Sequence, residues 1–128
     1  MILLDTHAWL WLADDPARLS PAARAAAKAA DRIGVCTISC WEVGMLVQAG
    51  RIRIDRDPRH WMRQALAAER IETIPLTSEI ALSAALLPSD FPGDPADRII
   101  YSTANELGAR LVTRDRSISS FDPQRTIW

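Results

Sequence analysis

The chain has 128 residues, enough for one domain that closes its own core without disulfide or metal staples. Hydrophobic residues at 48% and charged residues at 24% exclude an intrinsically disordered chain. A net charge of −1, from 15 basic and 16 acidic residues, excludes a polybasic coat for nucleic acid and leaves room for a local basic rim.

Lys28 is the only lysine, so the basic residues are nearly all arginine. Arginine's planar fork suits bidentate phosphate contacts, and codon bias accounts for the same skew equally well. Cys36 and Cys40 offer no disulfide framework and lack the histidine partners of a zinc site; they read as buried thiols in a reducing cytosol. No apolar run reaches the roughly 20 residues that span a bilayer. Met1-Ile2-Leu3-Leu4-Asp5 lacks the basic start of a signal peptide, so a cytoplasmic protein without membrane contact is expected.

Ile2-Leu3-Leu4 is a short apolar run ended by Asp5 and Thr6, the pattern of a buried parallel strand with an acid at its carboxyl end. Trp9 to Leu12 follows as a short helical or turn segment closed by Asp14-Asp15-Pro16. Ser20-Pro21 caps a helix running to Ala30. Residues 34–38 predict a second strand, and Ser39 a helix start, with Gly50 closing that helix. Asp57-Pro58 opens a helix to about Arg70, residues 71–76 form a strand, and Thr77 or Ser78 caps a helix to about Leu87. After a loop over 88–93, Asp94-Pro95 opens a helix that stops at Gly108. Leu111 to Thr113 is a strand followed by Asp115, and Thr126-Ile127 a short last one. Strands alternating with helices predict a single domain over 1–128, a three-layer α/β/α sandwich with a mostly parallel central sheet.

Ligands of open parallel sheets bind outside the carboxyl ends of the strands. Asp5 and Asp115 follow strands directly, and Glu42 and Asp97 each stand third in a predicted helix after Ser39 and Asp94. Each has an ordinary structural explanation: Ser39-Cys40-Trp41-Glu42 fits a capping box, Asp94 a helix cap, and Asp5 and Asp115 turns. Together they are candidates for one cleft, where convergent carboxylates repel unless a cation neutralises them. Oxygen-only ligands point to Mg²⁺ or Mn²⁺ rather than zinc, and such a pocket is typical of phosphoryl transfer.

With Leu3-Leu4-Asp5-Thr6-His7, Ser39-Cys40-Trp41-Glu42, Asp94-Pro95-Ala96-Asp97-Arg98-Ile99-Ile100 and Thr113-Arg114-Asp115 in this order, the chain resembles PIN-domain ribonucleases nearly end to end, in particular the VapC-type toxins of toxin–antitoxin pairs. The resemblance implies a PIN-like fold and metal-dependent endoribonuclease activity. It implies Asp5 as a direct metal ligand, Glu42 and Asp97 as the acids of the second and third motifs, and Asp115 as a fourth acid acting through water. Thr6 and Thr113 resemble hydroxyl residues that orient these acids, Ser39 supports Glu42, and Asp94 is a cap or an extra ligand. His7 is expected to be a subfamily feature rather than a base. Arg98 and Arg114 are expected either to hold an RNA phosphate or to pair with the acids.

The segment containing Arg51, Arg53, Arg56, Arg59, Arg63 and Arg70 is interrupted by acids and reads as a solvated face, with an RNA-contacting edge as the alternative. Trp9, Trp11, Trp41 and Trp61 are candidates for the core. Because Trp9 and Trp11 stand two apart, one of them is expected in a partly exposed hydrophobic groove. The resemblance implies that a cognate antitoxin's C-terminal segment fills such a groove, and implies a homodimer. Two alternatives stay open. A non-catalytic receiver-like Mg²⁺ module requires a paired acid after the first strand and a late lysine, where this chain has a single acid after Leu4 and only the early Lys28. A housekeeping structure-specific metal nuclease is the other.

Overall fold

A computed structural model describes all 128 residues and places five short strands in one sheet, ordered β3-β2-β1-β4-β5, with every pair parallel. These are β1 (Ile2–Leu4), β2 (Ile33–Cys36), β3 (Ile71–Ile74), β4 (Arg110–Val112) and β5 (Thr126–Ile127). Seven helices connect them: α1 (Thr6–Asp14), α2 (Pro21–Ala29), α3 (Thr37–Gln48), α4 (Pro58–Leu66), α5 (Ser78–Ala85), α6 (Pro95–Leu107) and α7 (Arg116–Phe121), with a 3₁₀ turn at Pro16–Arg18.

β1 sits at the centre of the sheet, which explains why its residues are apolar on both faces. Leu4 lies in register with Val35 and Val112, and these face a core formed with α1 to α4 around Trp9 and Trp61. Leu3 lies beside Gly34 and Leu111 and faces the other core, with Ile100, Tyr101 and Ile118 of α6 and α7. The result is the three-layer sandwich expected, with the sheet wholly rather than mostly parallel. Gly34 is required by close packing: a Cβ there would stand 2.7 Å from Leu3 Cδ1 and 3.1 Å from Ile74 Cγ1.

Several boundaries differ from expectation for identifiable reasons. The segment around Trp9 is the middle of a nine-residue helix, because the Asp5 carboxylate accepts the Ala8 N–H at 2.8 Å and starts α1 at Thr6. β2 ends at Cys36, and α3 begins at Thr37 rather than Ser39. Ser39 and Glu42 are therefore not a capping box, and the Thr37 hydroxyl donates instead to the Ile74 carbonyl at 3.1 Å. α4 ends at Leu66, well before Arg70. Arg70 takes a left-handed φ of 67° and turns its guanidinium onto the Ala27 and Ala30 carbonyls at the end of α2, at 2.9 and 2.7 Å. α7 was not anticipated; the Asp115 carboxylate caps it, accepting from Ser117 N–H at 2.8 Å and Ile118 N–H at 3.1 Å.

The tryptophans also redistribute. Trp9 packs on Trp61 at 5.1 Å between ring centres, and Trp11 is buried as well, so neither lies open in a groove. Trp41 is not core: it is 58% exposed on α3. Both cysteines are free thiols, and burial pushes that of Cys36 up to about 12. No helix is long and apolar enough to cross a membrane.

Candidate active site

The chain leaves β1 toward β2 and β3 on one side and returns to β4 and β5 on the other. This reversal opens a crevice at the carboxyl ends of β1 and β4. Asp5 directly follows β1, and Asp115 stands just beyond β4. Glu42 enters from the second turn of α3, Asp97 from the first turn of α6, and Asp94 from the cap of α6. All five acids line one cleft of about 730 Å³.

Glu42, Asp94 and Asp97 approach most closely, with carboxylate oxygens within 4.8 Å of one another. Asp94 serves two purposes there: its Oδ1 also accepts the Asp97 N–H at 3.0 Å, capping α6. Asp5 and Asp115 stand outside this triad but border the same space. The hydroxyls expected to orient the acids are buried around them. Thr6 donates its single proton to the Glu42 carboxylate, so the Ser39 hydroxyl donates to Thr6 in turn, at 3.0 Å. The fully buried Thr113 hydroxyl accepts the Asp115 N–H at 3.0 Å and steadies the Asp5 carboxyl.

Crowding has an electrostatic consequence. Desolvation, then the charges of Asp94, Glu42, Asp115 and Asp5, push Asp97 up to about 7. Burial raises Glu42, partly offset by the Thr6 hydrogen bond, with Asp94 and Asp5 raising it further. Asp5 is raised mainly by desolvation, against the opposing Thr113 and Ala8 contacts. Without a cation these acids hold protons or repel. An all-oxygen, acid-only set of this kind fits a hard divalent ion.

Arginines rim the cleft, and of the two expected beside the acids Arg114 is among them and Arg98 is not. Arg98 neither reaches the acids nor faces the crevice: its guanidinium donates to the carbonyls of Ala84, Leu87, Phe91 and Pro92, at 3.0, 2.9, 3.4 and 3.3 Å. It ties the end of α5 and the following loop to α6. Arg114 does line the cleft, together with Arg18, Arg51 and Arg116. Only Arg51 of the basic segment reaches it; elsewhere in that segment Arg56 pairs with Asp55 and Arg70 holds α2. Arg116 was detectable as the neighbour of Asp115, whereas Arg18 arrives only through the turn after α1. His7 also lines the cleft, with its ring 5.7 Å from that of Trp11. Lys28 lies exposed on α2, away from these acids, so the receiver-like alternative finds no lysine in the site.

Comparison with known proteins gives the family and the fold. Residues 2–122 match the PIN domain family. Ribonuclease VapC22 of Mycobacterium tuberculosis is 43% identical over 129 residues, covering 99% of this chain and 98% of that one. A toxin–antitoxin complex from Klebsiella pneumoniae shares the fold at 21% identity and a TM-score of 0.69, over 100% of this chain and 97% of that one. VapBC2 from Rickettsia felis, bound to a promoter DNA fragment, does so at 16% identity and a TM-score of 0.68, over 98% and 97% of the two chains. With the family match spanning nearly every residue and the acids gathered at the switch point of its sheet, the chain belongs to the PIN-domain family, among the VapC ribonucleases.

Proposed function

We propose that this protein is a divalent-metal-dependent endoribonuclease, the toxin of a toxin–antitoxin pair, acting in the cytoplasm with Mg²⁺ or Mn²⁺. The observation that carries this reading is the convergence of Glu42, Asp94 and Asp97 to within 4.8 Å in a cleft completed by Asp5 and Asp115. The kinship with a ribonuclease and with chains of toxin–antitoxin complexes supports the substrate and the partner.

Asp5, Glu42 and Asp97 are the direct ligands in this reading, Asp94 adds an oxygen, and Asp115 acts through water. When bound, the cation supplies Lewis acidity for the attacking water and for the departing oxygen. The chain's own part is positional. The Ser39–Thr6–Glu42 relay fixes the α3 acid, the Asp94 cap fixes the start of α6, and Thr113 holds the β4 loop against Asp5. Arg114, exposed at the rim, offers an N–H fork to the RNA phosphate. His7 carries no step in this scheme.

Two proposals concern assembly. The cognate antitoxin is a protein that silences the toxin, as the complexes of similar fold lead us to expect. The active form is a homodimer; Trp41 and Met45, one turn apart on α3 and 58% and 51% exposed, support burial against a second copy. The activity test is substitution of Asp5→Asn or Asp97→Asn, which should abolish RNA cleavage and toxicity while leaving the circular dichroism spectrum unchanged. Undiminished cleavage by folded Asp5→Asn protein would contradict the ligand assignment.

A further inference from the structure

Arg18, Arg51, Arg114 and Arg116 line the acidic cleft, and all four are exposed. The ion pairs of the molecule are Arg32–Glu72, Arg56–Asp55 and Arg125–Asp122. The cleft arginines are thus not neutralised by the acids beside them. Two are held by an aromatic ring instead: the guanidinium carbon of Arg18 lies 4.7 Å from the Trp11 ring centre and that of Arg114 5.9 Å from it.

Trp11 is a firm support. It is 9% exposed, belongs to the core of α1, and packs 5.7 Å from the rings of both His7 and Trp128. So covered a ring has no face left for a nucleobase; what it presents outward is two guanidinium groups. A guanidinium lying over a ring keeps its N–H edges free, and much of its rotamer freedom is surrendered before any ligand arrives. Arg18 comes from the turn after α1 and Arg114 from the loop after β4, and Trp11 brings them to one rim.

We propose that Trp11 is the platform of a phosphate clamp in which Arg18 and Arg114 grip backbone phosphates of an RNA strand next to the one that is cut, holding it in register over Glu42, Asp94 and Asp97. This rests on the ribonuclease reading above and adds the positioning residues that give the strand its place. It also explains how an anionic polymer approaches a cleft with five acids.

The test separates binding from cleavage. In the inactive Asp97→Asn background, a fluorescein-labelled single-stranded RNA oligonucleotide is titrated by anisotropy across a range of salt. Adding Arg18→Ala or Arg114→Ala should weaken binding roughly tenfold and lower the log–log salt slope by about 0.7 per arginine. Arg18→Lys should restore the slope, because it restores the charge. Trp11→Phe should bind as its parent does, whereas Trp11→Leu should lose affinity at an unchanged slope. In the active background Arg18→Ala should raise KM with little change in kcat. Unchanged affinity and slope in the folded Arg18→Ala protein overturn the clamp, and so does weakening of the antitoxin complex alone. The ribonuclease reading fails separately, if the unsubstituted protein binds RNA with this salt dependence yet does not cut it.

Discussion

Asp97 shows how a single carboxyl links stability to function. Its pKa rises from 3.8 to about 7 in the folded protein, so over that interval the native state binds its proton more tightly than the unfolded chain does. For this group, the stability of the metal-free protein declines as pH rises through that range and stays low above it. Asp97→Asn should therefore raise the metal-free melting temperature near pH 8 by roughly a few degrees and leave it unchanged near pH 4, as read by calorimetry in chelator. Added Mg²⁺ or Mn²⁺ should raise the melting temperature of the unsubstituted protein near pH 8 and not that of the variant. Thr6→Val removes the hydroxyl that holds Glu42. It should lower kcat at least tenfold while the helix content persists, because Glu42 loses its orientation in the cleft. Much of this scale was legible in the sequence. Asp5 and Asp115 were legible as acids that follow a strand and Asp97 as one in a first helical turn, whereas Glu42 was picked out through a helix start at Ser39 that lies at Thr37 instead. The place of Arg98 was not legible, because adjacency to Asp97 says nothing of where a long side chain ends.

At the scale of elements, local chemistry decided what the sequence revealed. The helix after Asp94-Pro95 and its stop at Gly108 were readable because both caps are local: Asp94 accepts the Asp97 N–H, and Gly108 adopts a φ of 61°. The start of α3 was not, since Val35 to Ile38 looks like a strand and only the sheet edge decides that it ends at Cys36. α7 was hidden because Asp115 reads from the sequence as a cleft acid or a turn residue, while its carboxylate also caps that helix. Arg98→Ala should cost about 2 kcal/mol in urea unfolding, by leaving the carbonyls at the end of α5 without their donor, and should leave the salt dependence of RNA binding unchanged. Gly34→Val should unfold the protein or lower its stability by several kcal/mol, since Leu3 Cδ1 sits 2.7 Å from the added Cβ and the centre of a parallel sheet has little slack.

At the scale of the whole molecule, parallel topology converts distant acids into neighbours. Strand β1 at the centre and β4 beside it set Asp5 and Asp115 on one rim, and α3 and α6 supply the opposing acids. That convergence was readable from the sequence because the carboxyl-edge rule needs only strands that run parallel and alternate with helices. Of the arginine rim, Arg114 was readable and Arg51 only as part of a basic segment, whereas Arg18 reaches it through a turn whose course no local pattern encodes. The exposure of Trp41 was not readable either. If its α3 face is buried between two copies, the protein should sediment as a dimer and Trp41→Asp as a monomer. In the function proposed above, the gathered carboxylates hold a cation that RNA cleavage requires. The most direct test incubates labelled RNA with the protein and with Asp97→Asn, each in Mg²⁺ or Mn²⁺ and in chelator. Cutting confined to the unsubstituted protein with cation is the expected result, and cutting that persists in chelator or in the variant would contradict it.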